Sequence, residues 1–355
     1  MNGKELLRYR PENVNKLLGG SPYLLLNSRP IFSAIIDENV MLMACNARIR
    51  HVIPGIMKAA METDAVVGFE LARSEGDTKG GYTGQTPKIY FETIMEYAEM
   101  MNFDKPFFIH GDHTTVKDTS DEEFNAAREL ILAEIEAGYT SIAIDASHNE
   151  LPDNIRITKQ LSHIVEDAGL GLEVEVGEIA GMKGELTTVE EALEFITALK
   201  NDGINPNLLA ISNGSKHGNY APDEEVHIDL KRTKEVFEAV RPYGVSIAQH
   251  GITGTPLHLM WKFTENGIRK GNVGTNWQNI AHKHLPKDLF EEMQKWTKEH
   301  NENIKRATKV FKAERDSIPQ KNRDAIAEEA YESAKQFIKA FRAEGTATLI
   351  REKLR

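Results

Sequence analysis

The chain has 355 residues, of which 40% are hydrophobic, and its 43 Lys and Arg against 54 Asp and Glu give a formal net charge of -11. This acidic balance argues against a surface for nucleic acid or an anionic membrane, and no apolar run approaches the roughly 18 residues of a transmembrane helix. The single cysteine, Cys45, excludes an intrachain disulfide and a cysteine-based metal site, so a metal would need His, Asp or Glu ligands.

Short apolar segments of strand length alternate with longer segments of helical periodicity along most of the chain. The first residues carry charges throughout and lack an apolar core of signal-peptide length, so we expect a cytoplasmic protein. The alternation predicts a parallel sheet with crossover helices. The predicted strands are 40–45, 65–70, 106–110, 140–145, 171–176, 207–212, 244–249 and 270–275. Eight strand–helix units match a (β/α)8 TIM barrel in count and length, with a doubly wound open sheet as the alternative.

Two of the helical segments carry clear end signals. In 121–138 the apolar residues fall on one helical face, and Gly138 provides a stop. In 187–203, Thr187 or Thr188 is followed three residues later by a glutamate, which indicates a capping box.

The composition and periodicity of the sequence change after about residue 285. The rest is charged and strongly helical, without strand signals. We therefore expect a catalytic barrel over 1–285 with a helical lead-in, and a C-terminal helical extension over 286–355 that packs on the barrel or on a second subunit. A homodimer or a higher homo-oligomer is the expected assembly.

Three histidines are placed at the ends of predicted strands. His113 follows the third strand, His217 follows the sixth, and His250 closes the seventh. Functional groups of barrels gather where strands end, so these imidazoles are expected to converge at one mouth. Three imidazoles with an open fourth position form a common catalytic zinc site. The histidines expected to be structural are His51, His163, His227, His258, His282, His284 and His300.

Carboxylates accompany these histidines. Asp112 precedes His113, and Asp145 ends the fourth predicted strand. Glu173 and Glu175 alternate along the fifth strand and therefore share a face. Carboxylates aimed into a barrel ligate metal, transfer protons or orient metal-bound histidines, and the pattern leaves these roles open.

Glycine-rich turns follow the last two predicted strands, at 250–256 and 274–276. Barrels commonly hold phosphate in the loops after strands seven and eight, through backbone N–H groups and short hydroxyl side chains. Thr253 and Thr275 are candidates for those hydroxyls. A further glycine-rich segment, 76–87, is predicted to border the same mouth as a loop or as a lid.

Six segments together carry a family resemblance. They read HGDH at 110–113, SIAIDASH at 141–148, LEVEVGEIAG at 172–181, KHGNY at 216–220, AQHGITG at 248–254 and GNVGTN at 271–276. In order and spacing they resemble the motif set of the class II, metal-dependent fructose-bisphosphate aldolases, from about residue 40 to residue 280. The resemblance implies a TIM barrel that uses Zn²⁺ to cleave the C3–C4 bond of a ketose phosphate reversibly.

The resemblance also implies a set of metal ligands. They are His113, His217, His250, Glu175 and Asp145. In the family the three histidines hold zinc, and the aspartate matching Asp145 lies at or near a second cation position, divalent or monovalent.

Catalytic and substrate-binding roles follow from the same resemblance. Asp112 matches the aspartate that exchanges a proton with the C4 hydroxyl, and Glu185 in loop 177–185 is the candidate for the glutamate of a mobile loop. The implied ligands of the sugar phosphate are Asn46, Gly218, Gly251, Thr253, Asn272 and Thr275.

Three positions depart from the family pattern. Ala221 replaces a phosphate-binding lysine found in many members, Ile252 changes the HGG motif to HGI, and Gly274 replaces a frequent aspartate. These changes alter the charges that meet both ends of the sugar. The implied chemistry is aldol cleavage, on a substrate that need not be fructose 1,6-bisphosphate.

Two alternatives remain open. A zinc-dependent epimerase would use the same retro-aldol step and then re-add the aldehyde with C4 inverted. A non-catalytic aldolase-like subunit would have lost metal ligands or the proton-transfer aspartate, and this sequence keeps both sets.

Overall fold

Eight parallel strands close into a barrel in sequence order, with β1 paired to both β2 and β8. The computed structural model describes residues 3–177, 186–215 and 228–355. The strands are β1 (Leu42–Asn46), β2 (Val67–Ala72), β3 (Phe107–Thr115), β4 (Ser141–Asp145), β5 (Gly171–Val176), β6 (Leu208–Ile211), β7 (Ser246–Gln249) and β8 (Ile268–Val273). The predicted TIM barrel is confirmed, and the open-sheet alternative is wrong.

Helices surround this barrel and continue beyond it. They are α1 (Gly3–Leu6), α2 (Glu12–Leu18), α3 (Ser28–Ile35), α4 (Ile53–Glu62), α5 (Pro87–Met100), α6 (Asp121–Ala137), α7 (Leu151–Asp167), α8 (Val189–Asn201), α9 (Leu230–Val240), α10 (Trp261–Glu265), α11 (Thr275–His284), α12 (Lys287–His300), α13 (Ile304–Val310), α14 (Lys312–Asp316), α15 (Gln320–Ala340) and α16 (Thr346–Lys353). Helices α4 to α11 follow β1 to β8 in turn. Within the described ranges, every helix is too short or too polar to cross a bilayer.

The predicted helix ends are observed. Helix α6 ends at Gly138, whose φ of +100° is the left-handed conformation that glycine adopts most readily. At α8 the capping box uses Thr188, whose hydroxyl accepts from the Glu191 N–H while the Glu191 carboxylate accepts from the Thr188 N–H. The neighbouring Thr187 instead donates its hydroxyl to the Val176 carbonyl, which ties this helix start to β5.

Strand β3 is longer than predicted and irregular at its end. Its pairing with β4 shifts register between Gly111 and Thr114, and His113 has a φ of +41°. Adjacent residues of a regular strand point to opposite faces, whereas an irregularity re-aims side chains. As a result, Asp112 and His113, although consecutive, both border the same cavity.

The N-terminal segment closes the opposite end of the barrel. Leu25 forms a bridge with Phe107, and the Leu26 N–H donates to the Phe107 carbonyl at 2.9 Å. Phe32 of α3 packs edge-on against Phe108 inside the barrel, with ring centroids 5.4 Å apart. Burial of this apolar layer leaves the C-terminal ends of the strands as the open mouth.

The C-terminal helices pack directly on the barrel of the same chain. Helix α15 lies so close to α4 that a Cβ atom at Gly55 would be 2.1 Å from the Ala327 carbonyl oxygen. Thr346 of α16 accepts a hydrogen bond from the Val66 N–H at 3.0 Å. The extension is therefore held by close backbone approach as well as by apolar burial.

Gly55→Ala is expected to lower the free energy of unfolding by about 1–3 kcal/mol, the usual range for overpacking a closed interface. The added methyl would meet backbone atoms of α15, which cannot rotate away. Thermal melting measures the change, and Gly20→Ala is the control because open space surrounds that position. An unchanged melting temperature for Gly55→Ala would contradict this packing.

A buried carboxyl group lies behind β3. Glu134 of α6 is 2% exposed, and a Cβ atom at Gly111 would be 2.4 Å from its Oε2. No hydrogen-bond partner for Oε2 is found in the described part of the chain. Burial, reinforced by the charge of Asp112, raises the pKa of Glu134 well above its usual range. The folded protein therefore keeps this group protonated to a higher pH than the unfolded chain does.

Glu134→Gln is expected to change how stability depends on pH. Below the unfolded pKa of about 4.3 both states of the wild type hold the proton, and above it the unfolded chain releases the proton first, so wild-type stability falls as pH rises. A glutamine cannot ionise, so the variant should gain on the wild type between pH 4 and pH 8. Each tenfold difference in proton affinity corresponds to about 1.4 kcal/mol.

Denaturant unfolding at several pH values tests this, with Glu136→Gln as the control because Glu136 is exposed on the same helix. A stability difference between Glu134→Gln and wild type that stays constant from pH 4 to pH 8 would show that Glu134 ionises normally.

Candidate active site

A cavity of about 680 Å³ opens at the C-terminal mouth of the barrel. Its walls come from the ends of most strands, from α11 and from the start of α13. Most of the residues predicted from the sequence to be functional border it. These are Asn46, Asp112, His113, Asp145, Glu175, His250, Gly251, Thr253, Asn272 and Thr275. His217, Gly218, Ala221, His227 and Glu185 lie outside the described residues.

Asp112 is a fixed, buried carboxylate at the centre of this mouth. The Asn272 amide donates to its Oδ1 and the Asn46 amide donates to its Oδ2, each at 2.9 Å. Although burial opposes ionisation, the positive charges of His113 and Lys270 lower the pKa of Asp112. The two asparagines therefore hold an ionised acceptor in one orientation while they border the cavity themselves.

His113 is oriented by two carboxylates. Its Nδ1 lies 3.1 Å from Asp145 Oδ2 and 3.1 Å from Glu175 Oε2. A proton on Nδ1 leaves the Nε2 lone pair as the ligand atom, in the manner of metal-bound histidines with carboxylate partners. Burial, together with the charge of Asp145, raises the pKa of Glu175 to about 8. Although burial opposes its protonation, Glu175 and Asp112 raise the pKa of His113, so the cluster favours positive charge at this point.

His250 approaches from the other side of the barrel. Its Nε2 lies 3.1 Å from Glu173 Oε1, and its Nδ1 lies 3.9 Å from Asp112 Oδ1. The rings of His250 and His113 have centroids 4.1 Å apart. Burial and the charge of His113 lower the pKa of His250, so it enters the site as a neutral imidazole. Glu173 and Glu175 share the inner face of β5 as predicted, since both contact histidines inside the barrel.

These residues fit a divalent cation. One ligand atom each from Asp112, His113 and His250 can be chosen so that all lie within 4.8 Å of one another, and the same holds for His113, Asp145 and Glu175. In both histidines one ring nitrogen is paired with a carboxylate, which sets the other nitrogen toward the shared space. His113 and His250, the two described histidines of the predicted triad, converge. The role of His217 as third ligand stays a prediction.

The loops after β7 and β8 form one wall of the cavity. Gly251 has a φ of +71°, and the Thr253 hydroxyl accepts from the Asn276 N–H at 3.4 Å. Helix α11 begins at Thr275, so its first N–H groups point toward the same wall. Such helix starts attract anions, which suits the predicted phosphate position.

The wall between β1, β2 and α11 holds charges that the sequence did not reveal. Arg48 forms an ion pair with Glu75 at 2.6 Å and donates to Gln278 Oε1 at 3.0 Å. A Cβ atom at Gly274 would be 2.8 Å from the Arg48 guanidinium. The glycine that replaces the family's aspartate therefore makes room for an arginine. Lys305 of α13 adds a second cation at this wall.

The glycine-rich segment after β2 packs against the C-terminal helices. The Glu75 carbonyl accepts hydrogen bonds from both the N–H and the hydroxyl of Thr83, and Lys309 of α13 donates to the Lys79 carbonyl at 2.9 Å. Gly84 lies against the side chain of Lys312. These contacts fit the loop prediction for 76–87 and connect the extension to the cavity.

His282, one of the histidines predicted to be structural, lies beside the cavity. Its ring borders the cavity, and burial together with the charges of Arg315 and Arg48 lowers its pKa to about 4. Its position on α11, seven residues after Thr275, places both on one helical face, a relation that could have indicated this. His51 keeps the structural role, since its Nε2 contacts the Arg315 carbonyl at 3.0 Å.

Comparison with known proteins agrees with this geometry. The family model described as "Fructose-bisphosphate aldolase class-II" matches residues 27–345. Fructose-bisphosphate aldolase of Streptococcus pneumoniae serotype 4 is 31% identical over 229 residues, which cover 63% of this chain and 69% of that protein. The enzyme of the same name from Ureaplasma parvum serovar 3 is 28% identical over 269 residues, which cover 74% of this chain and 85% of that protein.

Solved structures show the same fold. The YdjI aldolase from Escherichia coli K12 aligns with a TM-score of 0.66 at 20% identity, covering 91% of this chain and 99% of that one. A putative fructose-1,6-biphosphate aldolase from Coccidioides immitis aligns with a TM-score of 0.65 at 21% identity, covering 91% and 98%.

The closed barrel, with a mouth whose side chains fit a divalent cation, is that of a metal-dependent barrel enzyme, and the family match runs from the lead-in to α15. The chain belongs to the class II fructose-bisphosphate aldolase family. It is a class II aldolase, a lyase that acts on a carbon–carbon bond of a ketose phosphate. The relatives and the family model are aldolases, so aldol cleavage is favoured over the epimerase alternative.

Proposed function

We propose that the enzyme uses zinc to cleave the C3–C4 bond of a ketose phosphate reversibly, giving a dihydroxyacetone-phosphate-type fragment and an aldehyde. One observation supports this above the others. The ionised carboxylate of Asp112 is held by two amides beside His113 and His250, whose rings converge on a space that suits a cation.

Asp112 is the proposed base for the C4 hydroxyl proton. Both of its oxygens accept hydrogen bonds from asparagine amides, so its direction is fixed before substrate enters. A bound zinc supplies Lewis-acid polarisation of the C2 carbonyl. Glu185 is proposed to exchange the C3 proton, on the family resemblance alone.

His113 through Nε2 and His250 through Nδ1 are the proposed zinc ligands, with His217 as the third. Asp145 and Glu175 contact the far nitrogen of His113. We propose that they orient this ring and that their two carboxylates mark the position of a second cation.

The substrate is proposed to be a ketose phosphate other than fructose 1,6-bisphosphate. Gly251, Thr253 and Thr275, with Gly218 by resemblance, would hold the phosphate of the ketose fragment beside the start of α11. At the wall between β1 and β2, the Arg48–Glu75 pair replaces the single carboxylate expected at position 274. This change of charge supports an aldehyde fragment that differs from the one released by fructose 1,6-bisphosphate.

The wider setting is proposed from the resemblance and from composition. We expect a cytoplasmic homodimer or higher homo-oligomer that acts in carbohydrate metabolism, glycolysis included. Light scattering coupled to size-exclusion chromatography measures the subunit number.

A panel of ketoses and ketose phosphates, assayed with zinc present and with a coupled enzyme that traps triose products, tests the proposal. An aldolase gives trapped triose with at least one phosphorylated ketose, and chelator-treated enzyme gives none. Formation of a C4 epimer without triose would establish the epimerase instead. Absence of any conversion across the panel, with no zinc retained, would establish the non-catalytic alternative.

A further inference from the structure

A layer of charged side chains lies inside the barrel, directly below the cavity. It consists of Glu70 on β2, His110 on β3, Glu173 on β5 and Lys270 on β8, and each is at most 2% exposed. Ionisable groups so deeply buried are costly unless they are paired. Of these four residues, the sequence pattern indicates only Glu173 as facing into the barrel. The other three have no role in the proposed mechanism.

Lys270 is the cation at the centre of this layer. Its Nζ lies 2.9 Å from Glu173 Oε2 and 3.1 Å from Glu70 Oε2. Although burial opposes its charge, Glu173 and Glu70 raise the pKa of Lys270. The ammonium group therefore fills the space between β2 and β5 as a charge. Glu70, His110 and Asp112 could by geometry hold a metal, but the Lys270 ammonium already pairs with Glu70 and supplies a positive charge there.

Glu173 connects this cation to the site above. Its Oε2 faces Lys270 and also lies 3.4 Å from His110 Nε2, while its Oε1 accepts from His250 Nε2 at 3.1 Å. Two ion-pair contacts at Oε2 and one hydrogen bond at Oε1 hold the carboxylate in place. Because His250 donates from Nε2, its lone pair is on Nδ1, the nitrogen that faces Asp112.

We propose that Lys270 is a positioning residue, which holds Glu173 so that His250 keeps its proton on Nε2 and presents Nδ1 to the metal. The inference rests on the proposed function for the identity of His250 as a ligand. Lys270 does not line the cavity, and its ion pairs with described residues are those to Glu70 and Glu173. Its influence on His250 passes through the Glu173 carboxylate, whose other oxygen accepts from the histidine.

Glu173→Gln gives the sharpest test. The Lys270 ammonium can only donate, so it should draw the amide oxygen and leave the amide NH₂ facing His250. His250 Nε2 would then have to accept, and the ring proton would move to Nδ1. Lys270→Met removes the ammonium at similar length, so the Glu173 carboxylate can turn away from His250 Nε2 and His250 should show both tautomers.

Long-range ¹H–¹⁵N spectra of ¹⁵N-histidine-labelled, metal-free protein report the tautomer, with the His250 signals assigned by their loss in His250→Gln. Wild type should show the proton on Nε2, Glu173→Gln should show it on Nδ1, and Lys270→Met a mixture. Glu134→Gln makes the same carboxyl-to-amide change at a buried site outside this layer and should leave the His250 signals unchanged. Zinc affinity, from chelator competition, should fall by about 10- to 100-fold in the two layer variants.

A proton that stays on Nε2 in Glu173→Gln would overturn the proposal, and this variant decides the matter if Lys270→Met does not fold. The tautomer is read without metal or substrate, so failure of the proposed function is seen separately. A wild type that is inactive on every ketose, with the tautomer reversed in Glu173→Gln, supports the positioning role and rejects the zinc aldolase. An active wild type, with the tautomer unchanged in Glu173→Gln, supports the zinc aldolase and rejects the positioning role.

Discussion

Asp112→Ala is expected to lower turnover by about 100- to 10,000-fold, the usual loss on removing a general base. The variant should still hold zinc, because His113 and His250 keep their carboxylate partners on Asp145 and Glu173. Steady-state rates on the substrate identified in the ketose panel, with metal analysis of the same sample, measure both effects.

Two controls separate chemistry from structure in this prediction. Asp112→Asn keeps the shape of the side chain and should be nearly as slow, since an amide cannot take the proton. Asp118→Ala removes an exposed aspartate from the loop that follows β3 and should leave the rate unchanged. Near-normal turnover by Asp112→Ala would show that another group accepts the C4 hydroxyl proton.

His250→Ala is expected to lose both zinc and activity. The change deletes a proposed ligand and removes the hydrogen-bond donor of Glu173 Oε1. The loss of zinc affinity should exceed the roughly 10- to 100-fold typical of removing an outer-shell partner. Metal analysis after dialysis, with rates before and after added zinc, measures it.

His163→Ala is the matched control, since His163 is exposed on α7 and pairs with Asp202 at 2.8 Å, away from the cavity. This variant should keep about one zinc per chain and wild-type rates. Stoichiometric zinc and normal turnover in His250→Ala would remove His250 from the metal site.

The barrel could be predicted because its strands are apolar runs buried on both sides. The predicted bounds of β8 were displaced by two residues. Strand β8 is predicted at 270–275 and lies at Ile268–Val273. The difference arises because Arg269 and Lys270, two charged residues, are buried in this strand. The buried charge of Lys270 is stabilised by Glu70 on β2 and Glu173 on β5, a pairing that the local sequence does not reveal.

The site was predictable where chemistry follows a strand end and not where it depends on distant packing. Asp112, His113 and His250 come from strand ends, and the structure brings them together. The register shift of β3, which aims Asp112 and His113 to one side, depends on pairing with β4. Arg48 lines the cavity where Gly274 leaves room for its guanidinium, and Lys305 lines it from α13. Both positions depend on contacts between segments that are far apart in the chain.

Anomalous diffraction at the zinc edge, from crystals grown with zinc, tests the central claim most directly. A single strong peak within bonding distance of His113 Nε2 and His250 Nδ1, with an imidazole of His217 on the same ion, is the expected result. Rings that point away from one another, with no peak between them, would contradict the account.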